Sequence, residues 1–156
     1  MKVSDVMTRD VELVSPDDTI QTAARIMKDI GAGALPAGEN DRLVGMITDR
    51  DIAIRAVAAG TAPDRAMVRD VMTPEVRYVF ADEDVADVAR KMAEWQVRRL
   101  PVLNRDKRLA GILSLGDLAL EGGGKERLGE ALEGIAQPTG QHEQGQMQFA
   151  GNKPRE

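Results

Sequence analysis

The run Val3-Ser4-Asp5-Val6-Met7-Thr8 returns 65 positions later as Val68-Arg69-Asp70-Val71-Met72-Thr73. The same offset carries Val11 to Val76, Val14 to Val79, Asp17 to Asp82, Arg25 to Arg90, Met27 to Met92 and Leu35-Pro36 to Leu100-Pro101. Beyond the loop near residues 38–42 the offset becomes 66. There Leu43-Val44-Gly45-Met46-Ile47-Thr48-Asp49-Arg50-Asp51-Ile52 returns as Leu109-Ala110-Gly111-Ile112-Leu113-Ser114-Leu115-Gly116-Asp117-Leu118. Whatever one copy folds into, the other must also form, and the two are expected to pack with pseudo-twofold symmetry. The join falls near residues 60–66, giving repeat one over 1–60, repeat two over 61–121 and a tail over 122–156.

Each copy reads as β-α-β-β-α. In the first, Val11–Val14 has strand character, Ser15-Pro16-Asp17-Asp18 carries helix-start chemistry, and Ala23, Ala24, Ile26, Met27 and Ile30 form a helical apolar stripe. Gly31 to Gly33 stop that helix. Ala34-Leu35-Pro36 is a very short strand, residues 38–41 a turn, Leu43 to Ile47 a second full strand, and a helix runs on to about Ala59. The second copy places strands at Val76–Val79, Arg99–Leu103 and Leu109–Leu113, with helices over Val85–Trp95 and from Leu115 to about Glu121. A unit of about 60 residues buries too little surface to stand alone, so the two copies are expected to share sheet edges and helix faces as one α/β (α+β) module. Past Gly122-Gly123-Gly124, the residues Leu128, Ala131, Leu132 and Ile135 share a helical face, leaving room for a tail helix over 125–137. Two readings stand for it: a solvated tail, or a helix docked on the body or on a partner subunit.

Composition excludes several classes. Aromatic residues are only 3% of the 156, so Val, Ile, Leu, Met and Ala must fill the core; Met7, Met27, Met72 and Met92 read as such filler, and Trp95 as a partly buried core residue or a dimer anchor. Lys plus Arg number 21 against 26 Asp plus Glu, without a basic stripe, so no nucleic-acid partner is expected. Cysteine is absent, which removes disulfides and Cys-ligated zinc. No apolar run approaches the ~20 residues of a membrane span and no signal segment opens the chain; the expected location is cytoplasmic. His142, the sole histidine, lies in the tail, where solvent exposure is expected. Asp49-Arg50-Asp51 has no base, nucleophile or metal-ligand set beside it, so neither an enzyme nor a metal centre is expected.

The remaining chemistry lies in the repeated Gly-x-x-[Thr/Ser]-x-x-Asp. A strand feeding a helix start leaves unpaired N–H groups that favour an anion. Thr48 and Ser114 supply a hydroxyl suited to a phosphate oxygen, and Asp51 and Asp117, one turn in, can accept both hydroxyls of a ribose. Met46 and Ile112 offer apolar walls for a purine. The same spacing also reads as a capping box, Thr48 with Asp51 and Ser114 with Asp117, with no ligand at all.

Given the duplication, the short strand ending in Leu-Pro and the Gly-x-x-[Thr/Ser]-x-x-Asp run in both halves, residues 2–121 resemble a tandem pair of cystathionine-β-synthase-type (CBS) domains, above all the small stand-alone bacterial pairs. The resemblance implies a regulatory sensor that binds an adenine nucleotide or related ligand (AMP first, or ADP, ATP, NAD or S-adenosylmethionine) non-covalently in clefts between the repeats. It also implies a homodimer, in the form of a flat disc, and an unknown downstream protein that reads the conformation. Sites composed across the pseudo-twofold follow from it: Thr48 and Asp51 with Arg98 or Arg99, and Ser114 and Asp117 with Gly33 and Ala34. Basic residues before the Leu-Pro of such pairs clamp phosphate, which a guanidinium does as a bidentate fork, so the first site is expected to take the phosphorylated ligand. Thr8 and Thr73 resemble the positions that meet the adenine edge. Against this stand Arg98-Arg99 as an ordinary exposed pair, and the whole chain as a dimerisation scaffold whose sites are only caps. The dimer contact is expected on the helices after each strand-turn run, where Ile52, Ala53, Val57 and Ala58 give more apolar surface than one small sheet needs.

Overall fold

In the computed structural model, which describes residues 1–120 and 125–136, both halves take the same course. A one-turn helix α1 (Val3–Val6) precedes α2 (Ile20–Ile30), the hairpin β1 (Ala34–Glu39) and β2 (Arg42–Thr48), and a short α3 (Asp49–Asp51) that continues as a π-helical stretch, Ile52–Val57. The second half runs α4 (Val68–Val71), β3 (Thr73–Pro74), β4 (Val79–Phe80), α5 (Val85–Trp95), the hairpin β5 (Arg99–Leu103) and β6 (Leu109–Ser114), and α6 (Leu115–Leu120); α7 (Lys125–Ile135) follows. The expectations placed on Glu121, on residue 137 and on His142 lie outside the described residues.

Local chemistry sets the ends of these elements. The Thr19 hydroxyl accepts the Thr22 N–H to start α2, and Gly31 ends it at φ +67°, a left-handed turn that costs glycine little. Asp84 caps α5 at the Ala86 N–H. Asn40 and Asp41, both at positive φ, make the two-residue turn of the first hairpin and extend its first strand beyond the predicted Pro36, to Glu39. On α2 the residues Ile20, Ala23 and Met27 are buried, while Ala24 and Ile30 of the predicted stripe are exposed.

Neither hairpin completes its sheet alone. β2 takes β3 from the other half as its antiparallel neighbour, Gly45 opposite Pro74 and Met46 opposite Thr73. In the same way Thr8 lies opposite Ile112 on β6, the two residues exchanging both N–H to carbonyl bonds at 2.9 Å. On the far edge of each hairpin lies a parallel partner from its own half: β4 beside β5, and the single bridge Val14 to Ala37. The strands predicted at Val11–Val14 and Val76–Val79 therefore shrink to Val14 and to Val79–Phe80. The residues before them are crossing from one sheet to the other, and no ladder accompanies them on the way.

The cores follow this exchange. Val3, Val6 and Met7 pack with Val79, Val88, Met92, Leu100 and Leu113, whereas Val68 and Val71 pack with Ile20, Met27, Leu35 and Ile47. Ala34, Met46 and Val76, flanked by Leu43 and Ile112, form a small third cluster joining the halves. Trp95 sits partly buried against the second core. The motif glycines are what let the segments cross: a methyl group on Gly45 would meet the Thr73 carbonyl oxygen at 2.7 Å, and one on Gly111 would overlap that of Thr8.

The tail helix is docked on the body. Ala131 and Ile135 of α7 are buried, Gly134 lies so close to α5 that a Cβ there would come within 2.7 Å of that of Ala93, and the Gln96 Nε2 donates to the Gly134 carbonyl at 2.9 Å. Among the described residues no helix is long and apolar enough to cross a membrane. Overpacking a close crossing costs about 1–3 kcal/mol, so Gly111→Ala is expected to lower Tm by roughly 2–10 °C. Gly129→Ala, with nothing within 4 Å of its new methyl group, should leave Tm unchanged or raise it slightly. Scanning calorimetry of both variants checks the crossing.

Candidate functional site

Both strand ends close as capping boxes. The Thr48 N–H donates to Asp51 Oδ2 at 2.9 Å and the Asp51 N–H to Thr48 Oγ1 at 3.0 Å. The Ser114 N–H donates to Asp117 Oδ2 at 2.9 Å and the Asp117 N–H to Ser114 Oγ at 3.1 Å. What separates the halves is the second carboxylate oxygen. Asp117 Oδ1 accepts the Thr8 hydroxyl at 3.3 Å, a residue that enters from the exchanged segment. Asp51 Oδ1 lies 3.7 Å from the Arg55 guanidinium of its own helical stretch. Thr48 is fully buried and Asp51 is 2% exposed, whereas Ser114 and Asp117 are only partly buried.

Ser114 and Asp117 open onto a cleft of about 290 Å³ between the two halves. The crossing segment supplies Thr8, Asp10, Val11 and Glu12; the end of α2 and the start of β1 supply Ile30, Ala32, Ala34 and Leu35; the second hairpin and α6 supply Arg99, Ile112, Ser114 and Asp117. Of the residues expected from sequence, Thr8, Ala34, Arg99, Ile112, Ser114 and Asp117 thus meet in one place. Arg99 arrives there by register: it pairs with Ser114 in the β5–β6 ladder, so the two side chains share a face. That puts it beside the acid of its own half, where the sequence expectation had it clamping phosphate over Thr48 and Asp51.

The other expected residues fall elsewhere. Gly33 abuts the Asp49 carboxylate and its carbonyl accepts the Asp49 N–H at 2.9 Å, and it is Ala32 and Ala34 on either side that line the cleft. Arg98 is exposed, and its carbonyl accepts the Leu115 N–H at 3.1 Å. Met46 is buried in the cluster that joins the halves, 1% exposed. Thr73, the counterpart of Thr8, has a buried hydroxyl oxygen with no hydrogen-bond partner among the described residues.

Asp10, Val11, Glu12, Ile30, Ala32 and Leu35 were not singled out from sequence. Val11 and Glu12 lay inside a predicted strand, and only the crossing between sheets turns them toward the cleft. Three carboxylates, Asp10, Glu12 and Asp117, line the cleft with one guanidinium, that of Arg99. A larger cavity of about 430 Å³ lies by the hairpin tips, bordered by Arg42, Leu43, Val76, Tyr78, Leu103 and Lys107. Its carboxylate and hydroxyl are those of Glu75 and Tyr78, and no Ser, Thr or Asp lines it. Among the described residues no group of three or more His, Cys, Asp or Glu is placed to hold a metal ion.

A duplicated hairpin unit with exchanged segments and a Ser/Thr-x-x-Asp cap at the end of β2 and of β6 defines a paired-repeat α/β module, and the chain belongs to the CBS domain family, whose model matches residues 3–57 and 68–122. It is 42% identical over 134 residues to the CBS domain-containing protein YhcV of Bacillus subtilis, covering 86% of this chain and 94% of that one. Its fold is similar to the crystal structure of TA0289, a conserved CBS domain protein of unknown function from Thermoplasma acidophilum. The TM-score is 0.76 at 26% identity, over 91% of this chain and 80% of that one. It is also similar to the CBS domain pair of protein MJ0100, solved in complex with 5′-methylthioadenosine and S-adenosyl-L-methionine, with a TM-score of 0.67 at 28% identity over 76% and 93% of the two chains.

The two acids differ enough to be told apart by stability alone. Asp117→Ala removes an exposed-side cap and is expected to cost about 0.5–2 kcal/mol. Asp51→Ala also strands the Arg55 cation and is expected to cost about 3–5 kcal/mol. Urea unfolding of the two variants measures the difference.

Proposed function

We propose that the protein is a regulatory module that binds an adenosine-containing ligand between its two halves and presents the resulting conformation to a downstream protein. The observation that carries the reading is the meeting of the Thr8 hydroxyl, from one repeat, with the Asp117 carboxylate and Ser114 hydroxyl of the other at the mouth of an apolar-walled cleft. A carboxylate so placed suits a ribose diol, and Val11, Ile30, Ala34 and Ile112 suit the faces of a purine. Membership of a family of regulatory modules and the adenosine ligands bound by MJ0100 support the same reading. The chemistry is binding and not turnover.

Charge ranks the ligands. With three carboxylates against one guanidinium, the cleft favours S-adenosylmethionine, methylthioadenosine or adenosine over ATP, by an amount that salt reduces because Asp10 and Glu12 are exposed. AMP, the first expectation from the resemblance, keeps one phosphate that Arg99 can meet. Arg99→Ala should accordingly weaken AMP about ten- to a hundredfold and leave adenosine nearly unchanged, since a hydrogen bond to a charged group is worth roughly 1.5–3 kcal/mol. Equal loss of both ligands in calorimetry would show that Arg99 supports the fold and not the phosphate.

A thermal-shift panel of adenosine, S-adenosylmethionine, AMP, ADP, ATP and NAD tests the reading as a whole. A ligand at about 100 times its Kd stabilises by about 2.7 kcal/mol, or roughly 5–10 °C here. The dimerisation scaffold, the alternative supported by the two closed capping boxes, gives no shift with any of them. The homodimer is part of the same proposal: Ile54 and its counterpart Leu120 are 39% and 85% exposed, and Val57 is 68% exposed, on the helical stretches expected to meet a second copy. Light scattering should return twice the 16.9 kDa chain mass; a value at the chain mass itself, at micromolar concentration, would dismiss the dimer.

A further inference from the structure

We infer that Arg55 is a lock built into the first half: it holds the Thr48–Asp51 pair shut from inside, so the chain takes one adenosine ligand, at Ser114 and Asp117, and none at the equivalent place in repeat one. The ligand half of this inference rests on the binding reading above, while the lock itself rests on geometry alone.

The pseudo-symmetry supplies the comparison. In repeat two the carboxylate at the end of the motif spends Oδ2 on its cap and Oδ1 on Thr8, a hydroxyl at the edge of the cleft. In repeat one Asp51 spends Oδ2 on its cap in the same way, but Oδ1 faces Arg55 at 3.7 Å. The same guanidinium donates through Nη1 to the carbonyls of Val71 at 2.7 Å and Met72 at 3.2 Å, the two residues just before Thr73. Thr73 stands where Thr8 stands in the other half. Its hydroxyl oxygen is buried and has no hydrogen-bond partner among the described residues. A buried hydroxyl without a partner needs a cause, and here the cause is that Arg55 has taken the carboxylate oxygen that Thr73 would otherwise serve.

Two further differences fall at the same point. The backbone over Ile52–Val57 is π-helical, its wider turn closed by the Ala58 N–H to the Ala53 carbonyl at 3.0 Å, whereas residues 118–120, the described part of its counterpart, belong to an ordinary α-helix. Isolated π turns mark places where a helix accommodates a special side chain. The offset of 66 also sets Glu121 opposite Arg55 in the sequence. An ionised acid can neither donate to two carbonyls nor pair with a carboxylate, so the sequence of repeat two does not supply a guanidinium at the position Arg55 holds in repeat one. A ligand approaching Asp51 would have to displace a cation held by three protein oxygens from a carboxylate that is 2% exposed. At Asp117 it displaces one hydroxyl.

A double-mutant cycle in the full chain tests the lock without any ligand. Arg55→Met leaves Asp51 buried with its charge unpaired and should lower Tm by roughly 5–15 °C. Adding Asp51→Asn should recover most of that loss, because the amide still accepts the Thr48 N–H and buries no charge. Additive losses would overturn the lock. Should Arg55→Met fail to fold, Arg55→Lys, which keeps the charge but not the fork, runs the same cycle. Calorimetry with S-adenosylmethionine and adenosine then reads the ligand half: one equivalent per chain, kept in Asp51→Asn and lost in Asp117→Asn. Two equivalents in the native chain, or binding lost in Asp51→Asn and kept in Asp117→Asn, would overturn it. Absence of binding by both probes in the native chain would count against the proposed function and this ligand half together, with the cycle still deciding whether Arg55 is a lock.

Discussion

The backbone of Met7 and Thr8 passes over β6 with no room for a side chain beneath it, and the backbone of Met72 and Thr73 passes over β2 in the same way. These two crossings set the rest. Because Thr8 exchanges two hydrogen bonds with Ile112, the residues before it are delivered into the other half's core, where Val3, Val6 and Met7 become buried. Val68 and Val71 make the opposite journey. Each hydrophobic core is therefore incomplete without a segment of the other repeat, which is how two units of about 60 residues, each too small to be secure alone, become stable together. The cleft is a by-product of the same constraint. Having paired with one sheet at Thr8 and needing to reach the other at Val14, the chain must bridge the gap between them, and that bridge forms one wall of the site.

Where the two halves differ, function separates from architecture. Gly45 and Gly111 do the same structural work, and so do the caps Thr48–Asp51 and Ser114–Asp117. A cap alone satisfies only one carboxylate oxygen, so the halves are told apart by what the other oxygen meets. Arg55 claims it in repeat one, and Thr8, at the edge of open space, claims it in repeat two. The motif is a capping box in both halves, and only in repeat two does its second carboxylate oxygen also meet a side chain at the edge of the cleft.

Much of this was legible in the sequence because the duplication checks every element twice. The α5 helix, the β5 strand and the Leu-Pro hairpins follow from apolar spacing that recurs at a fixed offset. The exchange of segments was not legible, since it joins Met46 to Thr73, 27 positions on, and Thr8 to Ile112, 104 positions on, and no local window contains either; the over-long strands at Val11–Val14 and Val76–Val79 are its direct consequence. Arg99 was recognised as a charge of interest but given to the far acid, because pairing register, which sets it opposite Ser114, depends on where the hairpin turns. The different fates of Asp51 and Asp117 were in principle readable from Arg55 and its acidic counterpart Glu121, four residues on. That difference carries meaning only once Arg55 is known to reach the crossing backbone at Val71 and Met72.

The unequal halves also suggest how a bound ligand would be felt at a distance. A ligand shifts a conformational equilibrium only by its difference in affinity for the two states, so the site must include something able to move. Residues 9–13 are the least tied part of the cleft wall: between the pairing of Thr8 and that of Val14, their backbone hydrogen bonding among the described residues is a local turn from the Val11 N–H to the Arg9 carbonyl. This segment joins α1, held in one core, to Val14, held in the other, so a change in its course alters the relation between the two cores. At the equivalent crossing of repeat one's site, Arg55 ties helix, carboxylate and crossing backbone together. One end of the interface is thereby tied by the protein's own side chain while the other borders an open cleft, so the proposed binding at a single site would act on the halves unequally, about the tied end.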